Sequence, residues 1–419
     1  MRWAYCLSVY VCLCSCAGSA VSARVSSDIA RGDYRSALSR YEQDRSRSVL
    51  RTLSESVLLY AARSTDPAER RAAFIELSML GTRASDLLED LSQPGESASV
   101  RAEALRLRTL LGDDAARREL RALVDHPDPG VVDSAVQALS PERDAALLAA
   151  ALRSPRPERR STALALLGRA GPSHREVLIE AGRFDPLPQL RVAALHALER
   201  YGAPAADALE AATHDPEEHV RAAALSVLAR VAPERAEPLL DRQLGAAVSE
   251  HSISAAITLL DMQPPRQPAR ARAAISAALS SPDVALRARA ATALQRLPES
   301  ERDLAGARAR LRVEQAETVR LALALLLGPD DSAARSTLTE LSAMYTLPGA
   351  EAAAELAAYS GSARARLCAF SAHESALVRS TAARLIASAL RDPEPIAGLL
   401  ADTSWQVRGA AAGAVLNVL

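Results

Sequence analysis

The chain is 419 residues long, 49% hydrophobic but only 3% aromatic, with a formal charge of −1. Near-neutrality leaves no bulk field to draw in a polyanion, and so few aromatic rings leave little to stack on bases or sugars. All 50 basic residues are arginine, which excludes chemistry that needs a lysine amine, such as a Schiff base or a P-loop phosphate clamp.

In chain order, Met1-Arg2 followed by the apolar run Trp3 to Leu13 reads as an export signal, too short to span a bilayer. Two processing sites compete within residues 1–23. Leu13-Cys14-Ser15-Cys16 is similar to a bacterial lipobox, which makes Cys16 a lipidated first residue. Val21-Ser22-Ala23 suits an ordinary signal peptidase and leaves Arg24 first. Both predict an exported protein, periplasmic or anchored as a lipoprotein, that meets the membrane only through an N-terminal lipid. Four of the five cysteines lie in this segment, so Cys368 alone remains and no disulfide framework is expected. It reads as a small buried hydrophobe. Residues 24–45 read as a polar N-terminal cap helix, with Tyr34, Ala37, Leu38 and Tyr41 on one face covering the open end of a helical array.

From residue 46 to 419 one pattern recurs about every 30 residues, most clearly in Asp215-Pro216-Glu217-Glu218-His219-Val220-Arg221-Ala222-Ala223-Ala224-Leu225. Asp215 is expected to be an N-cap, Pro216 the first helical residue and Glu218 the capping-box acid. Val220, Ala223, Ala224, Val227 and Leu228 then share one face. Each such helix comes after a less regular one and a short polar break, and breaks this short force antiparallel neighbours. Nothing reads as a strand. A period in this range is the mark of a stacked array, so the predicted fold is an all-α, right-handed solenoid of about 12 helix pairs. Pro264, Pro265 and Pro268 in MQPPRQPAR, and Pro348 in the degraded copy after Thr346, are expected to bend it, with a break near 264 into two sub-arrays as the alternative.

The most regular polar feature is an arginine near the start of each second helix: Arg71, Arg101, Arg160, Arg191, Arg221, Arg287, Arg320, Arg379 and Arg408. We expect a structural ladder in which each guanidinium reaches a carbonyl, or an aspartate of an adjacent turn such as Asp66, Asp185 or Asp215, while its stem packs on apolar neighbours.

The combination of cap, proline, Val-Arg and an alanine-rich helix ending in Leu-Gly resembles HEAT repeats, above all the short form of the phycobilin lyase subunits. The resemblance covers residues 50 to 419. It implies a superhelix that binds a protein or peptide on its concave face. It also leaves open an accessory role beside a chromophore lyase-like enzyme, or a structural envelope lipoprotein. One HEAT-like family, the deoxyhypusine hydroxylases, holds two irons through repeated His-Glu pairs. Here only His373-Glu374 fits, and His214 and His219 beside Glu217 and Glu218 are spaced too far apart for one helix face. No nucleophile elbow, phosphate loop or zinc spacing is present. The expected activity is therefore non-catalytic scaffolding in the cell envelope, with no cofactor, metal or nucleic acid. The solvent-facing second-helix residues Arg106, Arg159, Gln189, Glu217 and Arg289 are expected to contact the partner.

Overall fold

The computed structural model describes residues 20–169, 174–245 and 247–419. Among them every regular element is a helix, and twelve helix pairs succeed one another. Their second members run from Pro67–Leu80 to Trp405–Val418. The local reasons repeat. A proline occupies the first turn of Pro67–Leu80, Pro157–Leu167 and Pro188–Leu198, where its missing N–H costs nothing. In eleven of the twelve second helices, from Ala73 to Ala411, the seventh helical residue is a buried alanine; Leu323 takes that place in the other. A methyl there lets neighbouring helices approach closely. Gly168 carries the same logic further, since a Cβ on it would lie 2.8 Å from the Cβ of Ala197 in the next second helix.

The chain divides into two compact units with separate hydrophobic cores. One is residues 114–335. Its core runs without interruption from Val136 to Leu326, through Leu164, Leu195, Leu228, Leu259 and Leu294. The proline-rich link at 262–268 lies inside it. Pro268 opens the helix Pro268–Ala278, and the Arg266 amide bonds the Leu259 carbonyl at 2.8 Å. The prolines thus end one helix and start the next within a continuous core. Pro348 likewise sits in the first turn of Leu347–Leu356 behind the Thr346 cap.

The other unit joins the described residues up to 113, from 20 on, to residues 336–419. Its core mixes the two ends of the chain: Leu53, Leu58, Phe74 and Leu77 share it with Phe370, Ile386, Leu400, Val407 and Val415. Helix Trp405–Val418 lies against both Arg47–Ala62 and Pro67–Leu80. The N-terminal residues do not simply cap an open end. Residues 20–30 and Tyr34–Asp44 are two helices, with Val25, Ile29, Ala37 and Tyr41 buried in the joint core. The Tyr41 hydroxyl donates to Glu394, and Arg45 bonds the same carboxylate at 3.0 Å. The face expected to cover an open end is used on the last repeat, because the apolar surface of Trp405–Val418 already faces the first.

This arrangement makes the N-terminal helices depend on the C-terminal ones. A chain ending at Arg391 should lose protease protection across residues 20–113 while residues 114–335 stay protected. Limited proteolysis with mass spectrometry reads this directly, and equal protection of residues 20–113 in both chains would contradict it.

Candidate functional site

Two features carry side chains with repeated or unexplained placement: the arginine ladder and an apolar trough. The ladder is fixed by helical register. Nine second helices have arginine as their fourth residue. Side chains in a helix lean toward its N-terminus, so a guanidinium in the first turn swings back over the preceding loop. There Arg160 bonds the carbonyl of Ser154 at 2.9 Å, Arg191 that of Asp185 at 3.0 Å, Arg221 that of Asp215 at 2.8 Å and Arg287 that of Ser281 at 2.9 Å. Each acceptor lies two residues before the cap. The same place in the next repeat supplies a carboxylate: Arg160 pairs with Asp185, Arg191 with Asp215, Arg287 with Glu314 and Arg379 with Asp402, each through two nitrogens.

One residue therefore serves two rungs. Asp185 gives its carboxylate to the arginine behind it and its carbonyl to the one ahead. Asp215 and Asp402 do likewise. Asp215 is accordingly not the N-cap; that place belongs to Glu217, and the Asp215 carboxylate takes the Glu217 amide at 2.9 Å. Burial alone would push Asp215 and Asp402 up, but the hydrogen bonds from Arg191 and Arg379 and from loop amides hold both below the usual carboxylate range. The same contest, with Arg287, the Ala316 amide and Arg310 winning, brings Glu314 down to about 2.

The N-terminal rung is Arg70, which bonds the Ser64 carbonyl at 2.8 Å; Arg71 is one residue further on and exposed. The adjacent arginines make the repeat alignment ambiguous. The spacing Pro-x-x-Arg, shared by Pro67–Arg70, Pro157–Arg160 and Pro188–Arg191, resolves it. Asp66 is no rung either, since its carboxylate caps the Ala68 amide. The acid of the first repeat is Glu69, and the arginine that reaches it, at 3.1 Å, is Arg408 of the last. Arg408 also bonds the Asp402 carbonyl and lies 4.1 Å from the Tyr34 ring centroid. Arg101 donates to Ser92 across a longer loop, and Arg320 holds the fourth place of Glu317–Leu327.

The residues expected to contact a partner are not brought together. Arg106 pairs with Glu103 on its own helix, Arg159 reaches Asp133, and Arg289 pairs with Glu250 and donates to Ser254. Gln189 and Glu217 are exposed at helix starts. Three of the five are thus spent on bonds within a repeat or between repeats, because a long side chain beside an acid on the next helix finds it before a partner arrives. Cys16 lies outside the described residues. Cys368 is half-buried, and burial pushes its thiol up. Among the described residues no three His, Cys, Asp or Glu side chains converge as metal ligands, and His251 faces Glu218 at 3.0 Å.

The trough lies where three second helices meet in the unit made of both chain ends. Pro67–Leu80, Ala376–Leu390 and Trp405–Val418 contribute Ala72, Ile75, Leu377, Ser380, Trp405 and Gln406 to a cleft of about 420 Å³. Met79, Arg83, Ala387, Arg391, Asn417 and Val418 line an adjoining one of about 650 Å³. The starts of two of these helices border the first cleft and the ends of all three border the second, so the helices run side by side. Glu76 and Arg384 line both clefts and form an ion pair across the trough. Glu76 can lie that low because a Cβ at Gly413 would meet its Oε2 at 2.5 Å. Burial raises its carboxyl while Arg384 opposes the rise. Ile75, Met79 and Leu377 remain 53%, 56% and 66% exposed. Ile75 and Leu377 border the first cleft from the two helices that flank Trp405–Val418, and Met79, one turn on from Ile75, borders the second, a grouping that single scattered apolar residues do not show. Sequence patterns do not disclose this site because two of its walls come from opposite ends of the chain.

Residues 144–229 match the family model of HEAT repeats. No curated protein matches the sequence. Among solved structures, the chain is similar to the Escherichia coli protein YibA, with 16% identity and a TM-score of 0.33 over 67% of this chain and 95% of that one. It is similar to the karyopherin Kap121p, with 11% identity and a TM-score of 0.38 over 88% of this chain and 48% of that one, so it spans about half of Kap121p. A third likeness, with 18% identity and a TM-score of 0.24, is to the complex of CpcE and CpcF of the phycocyanin lyase of Nostoc sp. PCC7120; it covers 67% of this chain and 91% of that one.

Because Arg191 is buried and doubly paired, Asp215→Ala should destabilise the unit 114–335 by about 3–5 kcal/mol through the stranded guanidinium. Arg71→Ala should stay within about 0.5 kcal/mol, as surface changes do; urea melts compare the two. Glu314 sets a pH dependence. A carboxyl whose pKa is lower folded than unfolded stabilises the fold above its unfolded value, near 4.5, and loses that contribution as pH falls toward about 2. The loss is about 3 kcal/mol. Melts between pH 5 and pH 2 should therefore show a steeper decline for the native chain than for Glu314→Gln.

Proposed function

We propose that this chain is a non-catalytic scaffold of the cell envelope that holds a protein or peptide partner in the trough between Pro67–Leu80, Ala376–Leu390 and Trp405–Val418. The exposed apolar side chains Ile75, Met79 and Leu377, which border the two clefts, carry the reading. Because these side chains are already partly covered, leaving the rest in water forgoes about 1–2 kcal/mol each, and a partner that covers them recovers it. Stacked helix pairs suit this task, since a rigid array presents adjoining helix faces as one surface. The trough's only ionisable lining groups are Glu76, Arg83, Arg384 and Arg391. Glu76 is already paired with Arg384. An accessory role in chromophore attachment would call on Cys368, the one cysteine outside residues 1–19, whose raised thiol is far from a ready thiolate.

Export rests on the leader-like residues Met1 to Leu13. No helix among the described residues is long and apolar enough to cross a membrane. Of the two processing sites, the fold favours Cys16. Residues 20–30 form one helix, and Val21 packs on the same core as Val25 and Ile29. A cut after Ala23 would remove residues 20–23 from it, Val21 included, whereas a cut before Cys16 keeps them.

A photoreactive residue placed at Ile75 or at Leu377 in the exported chain should give one discrete protein adduct in cells, and Met79→Asp should abolish both adducts. Adducts that persist in that variant, or that form equally from exposed Tyr359, would count against the trough. Fatty-acid labelling should mark the native chain and vanish in Cys16→Ser; a mature N-terminus at Arg24 would overturn the anchored form.

A further inference from the structure

The trough is not uniform along its length. The Glu76–Arg384 pair crosses it like a sill. On one side the lining is Ala72, Ile75, Ala376, Leu377 and Trp405; on the other it is basic, with Arg83 and Arg391 beside Met79. The ionisable lining is three arginines against one glutamate, a formal excess of two positive charges.

These guanidiniums are only partly used. Arg384 spends Nη2 on Glu76, and Arg83 gives Nη1 to the Asn417 backbone carbonyl at 2.5 Å. Arg391 ends its helix in the left-handed conformation with its side chain exposed. A guanidinium has five N–H donors, so several face solvent here. Of the side chains that border the clefts on Ala376–Leu390 and just beyond it, Leu377, Ser380, Arg384, Ala387 and Arg391 follow one another at regular intervals, with Ala376 and Ser388 beside them. Their spacing of three or four residues makes one stripe. From Leu377 to Arg391 it spans about 21 Å at 1.5 Å per residue, the length of a four-turn helix.

Resting on the scaffold reading, we infer that the trough receives an acidic amphipathic helix of a partner protein. Its apolar side chains lie against Ile75, Leu377 and Trp405, and side-chain carboxylates two to three turns further on meet Arg83, Arg384 and Arg391. Helix-in-groove binding supplies the apolar anchors. The arginine end sets orientation and selects against a basic helix, because like charges brought together there lose their water without gaining a partner.

The test uses the exported chain and an acetylated, amidated 18-residue helical peptide with Leu at positions 3 and 7 and Glu at positions 14 and 17. Blocking both ends leaves side-chain carboxylates as its only acids. Fluorescence anisotropy should show binding that weakens at least tenfold when both Glu become Lys. Arg391→Glu alone should weaken the acidic peptide, Arg83→Glu with Arg391→Glu should reverse the preference, and Leu377→Asp should abolish binding of both peptides. Equal affinity for the Glu and Lys peptides, binding of neither, or an unchanged preference in Arg391→Glu would overturn the inference. Thermal melts of each variant confirm that it folds. Adducts at Ile75 and Leu377 that survive such a result would leave the scaffold reading standing and remove only the acidic helix.

Discussion

The structure depends on one bond set: a first-turn guanidinium held by the carbonyl of the loop behind it and by a carboxylate two residues before the next cap. Arg191 shows it fully, with the Asp185 carbonyl on one side and both Asp215 oxygens on the other. Burying a charge is expensive. The cost is met because the fork geometry of arginine matches a carboxylate and leaves a further N–H for the carbonyl. The same bonds satisfy loop groups that a short turn between two packed helices would otherwise leave without partners. Register is fixed as a result, because a helix shifted by one residue would carry its arginine off the loop.

The alanines complete the arrangement. Arginine at the fourth helical place and alanine at the seventh lie three residues apart on one face, so a second helix that has both presents a tie and, one turn on, a flat spot. Neighbouring helices come close where the methyl lies and are tied where the arginine lies. The arginine is missing from the fourth place in three second helices, where Val132, Ile253 and Ala350 stand; in the first two, Asp133 and Ser254, one residue on, are taken by Arg156, Arg159 and Arg289.

The trough has a different origin. In Pro67–Leu80, Ala376–Leu390 and Trp405–Val418 the buried stripes face a shared core, and the residues left over point to the same open side. Gly413 lowers the floor enough for Glu76 to lie across it. The long apolar side chains Ile75, Met79 and Leu377 then stay exposed among the described residues, and the proposed docking rests on them rather than on the ladder.

Much of this was present in the chain order alone. The twelve helix pairs, the arginine period and the two acids Asp185 and Asp215 could be read from residues 50 to 419, because capping, proline placement and helical periodicity are local rules that repeat. What the local rules left open was register and partnership. Arg70 and Arg71 are equivalent to a pattern and differ only once a helix start fixes which one leans over the loop. Arg106, Arg159 and Arg289 look free until an acid on the same or a neighbouring helix is seen beside them. That Arg408 ends on Glu69, and that Ile75 and Leu377 line one cleft, was decided by tertiary structure alone. Nothing within thirty residues of either end encodes the other, and only folding brings an apolar helix face at residue 405 against its match at residue 67.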